Sequence, residues 1–260
     1  MSPTDLLARQ RAAESVARDA GALACSYLTD LAALNVALKG PQDVVTAADG
    51  AVERMIVAEL GAAFPDDSFL GEEGGGAVGD RCWVIDPIDG TANFARGLPH
   101  WCVSIAFVAS GRAEVGVIYD PNGNLSYSAR RGAGATRNAI PIRVSANDDI
   151  AQAIVEIGYS HRTEVDDFAR IMTRLLQLGI NVTQSGSAAL GLARVADGRL
   201  EGYAERHLYA WDALAGMLLV EEAGGRVNAF FEGDALTSGN MAIAATPALY
   251  TAIASALDVT

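Results

Sequence analysis

The chain has 260 residues, 50% of them apolar and 20% charged, with 32 acidic against 19 basic side chains and a net charge of −13. That apolar share suits a globular protein with a sizeable core and excludes a disordered one; the length allows one large domain or two sharing an interface. A negative field of this size repels phosphate backbones and anionic lipid, so no nucleic-acid partner and no membrane surface is expected.

The three cysteines, Cys25, Cys82 and Cys102, include no CxxC pair. They read as reduced thiols of a cytoplasmic protein. Cys82, His100 and Cys102 lack zinc-site spacing and are expected in the core. Arg9, Arg11, Glu14, Arg18 and Asp19 interrupt the first segment, which excludes a signal peptide, and no apolar run reaches the ~18 residues of a membrane span.

In chain order, apolar residues at steps of three and four predict an amphipathic helix over 5–35, with Thr4 or Asp5 as its N-cap and a break at Lys39-Gly40-Pro41-Gln42. A second helix is predicted over about 47–63. The middle third is β-rich: runs at 83–85, 102–109, 113–119, 125–129 and 140–144, separated by glycine-rich turns, read as an antiparallel meander. From about 150 strand and helix alternate: strands at 154–157, 181–184, 202–205 and 241–244, helices at 166–178, 188–196, 211–223 and 247–256. A composition shift at Ala146-Asn147-Asp148-Asp149 predicts a division into residues 1–146 and 147–260.

The chemical signal is acid inside apolar sequence. The run Trp83-Val84-Ile85-Asp86-Pro87-Ile88-Asp89-Gly90-Thr91 carries an apolar strand into Asp86. Pro87 cannot continue a ladder, so a turn is expected there, with Gly90 and Thr91 opening a helix. Two carboxylates, a carbonyl and a hydroxyl then surround one turn. Hard cations such as Mg²⁺ select such oxygen ligands, and a helix N-terminus favours an anion. An N-cap Asp and a turn Asp would explain the same residues. Gly71-Glu72-Glu73-Gly74-Gly75-Gly76 reads either as a solvated turn or as a phosphate cradle, though not as a P-loop, since GxxxxGK[ST] is absent. Asp212 opens a nearly all-apolar helix that Gly224 closes, as cap or as metal ligand. Thr46 and Asp49 could form an ordinary N-cap.

Together, Lys39…Asp43–Asp49, Gly71-Glu72-Glu73, Asp86-Pro87-Ile88-Asp89-Gly90-Thr91 and Trp211-Asp212 resemble, in order and spacing, the inositol monophosphatase family of metal-dependent phosphatases, over about Lys39 to Gly225. The resemblance implies a layered α/β/α/β/α sandwich of the α+β class, similar to the inositol monophosphatase / fructose-1,6-bisphosphatase fold, and a homodimer. Residue by residue it implies that Glu72, Asp86, Asp89, Asp212 and the Ile88 carbonyl bind metal, and that Thr91 and Asp49, with Glu72, serve catalysis. It implies that Gly90 and Thr91 hold phosphate, and that Gly186, Ser187, Ala188 and Glu205 meet the substrate's hydroxyls. The chain departs from the family pattern at Ala92, Leu214 and Asn138-Ala139. Arg206 and His207, beside Glu205, form a cationic pair that suits a different or more acidic leaving group.

The implied activity is hydrolysis of a small polyol-type monophosphate, inositol monophosphate first, by water activated with about two or three Mg²⁺ ions. Bound cations would also resolve the conflict between an acidic protein and an anionic substrate. Histidinol phosphate, or another small phosphate ester, is the alternative within the class. A non-catalytic regulatory protein of the same fold is the alternative outside it.

Overall fold

The structure is a computed structural model that describes residues 1–29, 34, 36–40 and 43–259. Among them the chain opens with α1 (Pro3–Tyr27), a hairpin of β1 (Ala37–Gly40) and β2 (Asp43–Val45), and α2 (Ala47–Ala63). There follow β3 (Ser68–Gly71), β4 (Gly75–Gly76), β5 (Arg81–Asp89), α3 (Thr91–Phe94), β6 (Cys102–Ala109), β7 (Arg112–Asp120), β8 (Leu125–Arg130), β9 (Ala135–Arg137) and β10 (Ile140–Pro141). The second half alternates through β11 (Ile154–Ile157), α4 (Val165–Gln177), β12 (Asn181–Thr183), α5 (Ala188–Ala196) and β13 (Gly202–Leu208). It ends with α6 (Ala210–Glu222), β14 (Arg226–Val227), α7 (Ala235–Ser238), β15 (Asn240–Ala245) and α8 (Tyr250–Ala256).

The strands form an eight-stranded sheet, β10-β9-β8-β7-β6-β5-β3-β4, and a five-stranded one, β12-β11-β13-β15-β14, besides the β1–β2 hairpin. From β5 to β10 every neighbour is antiparallel, as the alternating runs predict, and β3 joins β5 in parallel. Helices α1 and α2 cover one face of the large sheet, α5 and α6 lie between the sheets, and α4 and α8 cover the far face of the small sheet. The result is the five-layered α/β/α/β/α sandwich. Residues 142–153 connect the two sheets.

Each layer follows from side-chain alternation. On β5, Trp83 and Ile85 pack under α1 and α2, while Cys82 and Val84 face α5 and α6. All four are fully buried, and each large one contributes about 1.5–3 kcal/mol. Helix α6 is apolar all round because it is covered by a sheet on each side. Gly116 admits it: a β-carbon there would stand 2.7 Å from the Ala215 carbonyl oxygen.

Several expectations need correction. Ser2, not Thr4 or Asp5, caps α1; Asp5 is its reciprocal partner in a capping box, with Pro3 in the first turn. The helix ends at Tyr27 rather than 35, where Ser26 and Thr29 turn their hydroxyls onto the carbonyls of Leu23 and Ser26. Pro41 and Gln42 of the expected break, and the side chains of Lys39 and Asp43, lie outside the described residues, whereas Lys39 and Gly40 belong to β1. The run 140–144 is strand only at Ile140–Pro141, paired with β9 through a tight turn in which Asn138 and Ala139 both take positive φ, 50° and 63°. Cys82 and Cys102 are buried as expected, but His100 is exposed, with Nδ1 3.4 Å from Arg194.

Candidate functional site

The site begins with a β-bulge. Asp86 pairs with Ser104 and Asp89 with Cys102, so three steps on β5 match two on β6. Pro87 has no N–H to give, and the strand bulges there instead of turning as expected. In a regular strand residues three apart face opposite sides; the extra residue returns Asp89 to the face of Asp86 while Ile88 points under α1 and α2. The Ile88 N–H donates to Asp86 Oδ1 at 2.9 Å.

The N-termini of two helices complete the site. Ser104 Oγ donates to the Trp211 carbonyl at 2.9 Å, anchoring the start of α6. Asp212 lies in the first turn of α6 rather than at its cap, and its Oδ2 accepts from the Tyr209 N–H at 3.2 Å. Carboxylate oxygens of Asp86, Asp89 and Asp212 all come within 4.8 Å of one another. The first residues of α5 face Asp89: the N–H groups of Ala188 and Ala189 donate at 3.2 and 2.9 Å, and Ser187 Oγ and Cys102 Sγ also reach Oδ2. The positive ends of both helix dipoles therefore offset part of the repulsion.

Much remains. Burial pushes Asp86 well above the usual carboxylate range, and Glu72, Asp89 and Asp212 add to it; burial and then Asp89 and Glu72 do the same to Asp212. Asp89 is raised less, because the Ser187 hydroxyl and the α5 amides oppose its desolvation. This oxygen-only set of crowded carboxylates fits a hard divalent cation, whose charge would relieve the repulsion.

Glu72, Gly90, Thr91, Gly186 and Asp212 line one cleft of about 230 Å³. Gly90 enters α3 at φ 95°, a conformation that glycine adopts without strain. Thr91 Oγ1 lies 3.0 Å from Asp49 Oδ1 and 2.9 Å from the Ile88 carbonyl oxygen. Asp49 is fully buried and holds Thr46, the cap of α2, through both its N–H and its hydroxyl. Burial raises the Asp49 carboxyl against those bonds. The capping reading of Thr46 and Asp49 is thus correct, and the contact with Thr91 is additional.

An adjoining pocket of about 190 Å³ is lined by Asp89, Ser187, Ala188, Glu205 and Asp212. Glu205 is 6% exposed and accepts from Tyr203 Oη at 2.6 Å; burial pushes its carboxyl up to about 7. The expected residues line these two pockets or touch their carboxylate cluster, except Asp49, which reaches the cleft through the Thr91 hydroxyl, and Ser187 is aimed at Asp89.

Two expectations differ in detail. The glycines after Glu72 make no phosphate cradle: Glu53 takes the N–H groups of Glu73 and Gly74 at 2.8 and 2.6 Å. The cationic pair beside Glu205 does not face the site. Arg206 points away and pairs with Asp167 at 2.8 Å, because successive strand residues alternate sides. The His207 ring packs edge-on against Tyr209, and its Nε2 lies 2.8 Å from the Ser238 carbonyl oxygen. The sequence gives no direct sign that the 159–162 loop, Tyr159 to Arg162, and Tyr209 also line the cleft. Only the Tyr-Ala-Trp-Asp run gave any signal, through the neighbouring Asp212. A larger cavity of about 410 Å³, lined by Leu214, Met217 and Phe230, lies apart from these carboxylates.

A five-layered sandwich with buried acids at the N-termini of its middle helices is the architecture of a class of metal-dependent phosphatases. The inositol monophosphatase family model matches residues 5–259, and the chain belongs to that family. It is 44% identical over 222 residues to the Nus factor SuhB of Xylella fastidiosa, covering 84% of this chain and 81% of the relative. It is 39% identical over 220 residues to the inositol-1-monophosphatase of Rhizobium meliloti, covering 83% and 80%. The inositol monophosphatase structure from Anabaena (Nostoc) sp. PCC 7120 superposes with a TM-score of 0.84 at 34% identity, over 98% of both chains. With relatives of both names, the exclusion of a nucleic-acid partner drawn from net charge does not carry over. Among the described residues, no helix is long and apolar enough to cross a membrane.

Proposed function

We propose that the chain is a Mg²⁺-dependent phosphomonoesterase acting on a small polyol-type monophosphate, inositol monophosphate first. The observation that carries this reading is the convergence of Asp86, Asp89 and Asp212 oxygens within 4.8 Å, with Asp86 and Asp89 buried and Asp212 partly exposed to the cleft. Asp86, Asp89 and Asp212, with Glu72 and the Ile88 carbonyl, would hold about two or three cations. When bound, Mg²⁺ neutralises phosphate charge and makes water more acidic.

The chain's own groups do the rest. Gly90 and Thr91 border the space for phosphate. The Thr91 hydroxyl has one proton and two acceptors in reach, Asp49 Oδ1 and the Ile88 carbonyl. A proton delivered to Asp49 satisfies both contacts, since Asp49 then donates to Thr91 and Thr91 to Ile88. Thr91 and Asp49 are thus arranged to orient the attacking water and take its proton. Glu205 and the Gly186–Ala188 turn border the leaving group.

Support for the reading comes from the inositol-1-monophosphatase name borne by one relative and from a solved relative with inositol monophosphate bound. A second reading, a regulatory factor of the same fold, draws on the relatives named Nus factor, and the two roles are compatible. A homodimer, a cytoplasmic setting and a division into residues 1–146 and 147–260 complete the proposal.

The test is phosphate release with Mg²⁺ from inositol monophosphate, histidinol phosphate, fructose 1,6-bisphosphate and 3′-phosphoadenosine 5′-phosphate. Release from inositol monophosphate is expected, with Asp89→Asn inactive yet folded. No release from any of the four ends the reading.

A further inference from the structure

One wall of the cleft has no part in the chemistry above. The Arg162 guanidinium carbon lies 4.6 Å from the centroid of the Tyr209 ring. Tyr209 stacks on Trp211 at 4.5 Å and 24°. A guanidinium thus rests on a stack of two rings, the upper one braced edge-on by His207 at 5.1 Å. All three stack members line the same cleft as Gly90, Thr91 and Glu72.

A guanidinium held over an aromatic ring uses none of its N–H donors on an acid, and those donors match an oxyanion. Arg162 is in no ion pair among the described residues, although this chain has 32 acids for 19 bases. Arg206, by contrast, is drawn to Asp167 on the far side of β13. Among the described residues, the arginine lining this carboxylate-rich cleft is therefore held by aromatic stacking with no acid at ion-pair distance, and Glu205 feels its charge only from further away. That arrangement leaves its donors for a ligand.

We propose that Arg162 is an oxyanion-binding residue of this cleft, its donors directed at a phosphate or other anionic group of the substrate. The assignment rests on the reading of the cleft as a phosphate-ester site. Such a group has two possible sources: the phosphate being cleaved, or a second anionic group on the leaving alcohol.

The experiment titrates inorganic phosphate calorimetrically into the Mg²⁺-loaded protein and its Arg162→Gln and Arg162→Lys variants, with melting curves as the control for folding. If Arg162 meets the cleaved phosphate, phosphate affinity falls about tenfold in Arg162→Gln, and Arg162→Lys recovers part of it. If it meets a second group, KM for fructose 1,6-bisphosphate rises about tenfold more than KM for inositol monophosphate. Unchanged phosphate affinity together with unchanged KM for both esters, in variants that melt with the wild type, overturns the assignment. Wild-type protein that binds phosphate in an Arg162-dependent way yet hydrolyses no ester overturns the functional reading and leaves this one standing.

Discussion

Ser187 donates its hydroxyl to Asp89 Oδ2, joining residues 98 apart in the chain at the entrance to α5. The partner amides of Ala188 and Ala189 complete the grip, so Asp89 is held before any ligand arrives. Ser187→Ala should then cost about 1.5–3 kcal/mol of stability, the range for a buried hydrogen bond to a charged group. It should also raise the Mg²⁺ concentration that gives half-maximal activity, while changing KM for the ester less. Urea denaturation and Mg²⁺ titration measure the two effects. A variant altered in KM alone would place Ser187 on the substrate instead.

Metal removal exposes the strain in the cluster. Asp86 and Asp212 are both raised by burial and by neighbouring acids, so the folded state holds protons that the unfolded state releases. Their contribution is therefore present at low pH and lost as pH rises through the folded values. In EDTA at pH 8, Asp212→Asn should raise the melting temperature by about 2 °C or more, since it removes one of the repelling charges. Mg²⁺ should raise the wild-type melting point and leave that of the variant nearly unchanged. A variant destabilised in EDTA would show that the acids are not in conflict.

Glu205 gives a second pH signature. Its folded value of about 7 exceeds the ordinary 4.5, so folding favours the protonated acid. Stability from this group is full below pH 4.5 and lost by the time pH passes 7, a swing of about 3 kcal/mol. Glu205→Gln cannot titrate. In metal-free urea melts it should gain roughly that amount relative to wild type between pH 4.5 and pH 8. An identical difference at both pH values would contradict the burial argument.

The acidic motifs were legible because each interrupts an apolar run: Asp86 follows the apolar stretch of β5 and Asp212 lies in the first turn of an apolar helix. Local period also revealed α2, β6, β11 and α5, whose ranges were expected almost to the residue. Three-dimensional closure was less visible. Nothing near Arg162 announces that it stacks on Tyr209, 47 positions later. Arg206 was misplaced because adjacency in sequence means opposite faces on a strand. The bulge at Pro87 was the subtlest feature, since proline signals only that the ladder breaks, and turn and bulge both satisfy that signal.

Gly158 offers a test of the leaving-group pocket. A β-carbon there would stand 1.9 Å from Glu205 Oε2 and 2.4 Å from Tyr203 Oη. Gly158→Ala must therefore displace the Glu205 carboxylate, at an overpacking cost of about 1–3 kcal/mol. The metal-site acids lie on other elements, so KM for inositol monophosphate should rise more than kcat falls. Adding Glu205→Ala removes the nearer clash and leaves the one with Tyr203 Oη. Gly158→Ala should then cost less stability in the Glu205→Ala background than in the wild type, a non-additivity that identifies direct contact between the two positions. Simple additivity in the same urea melts would mean that the methyl acts on the backbone, and that Gly158 is not shaping the pocket through Glu205.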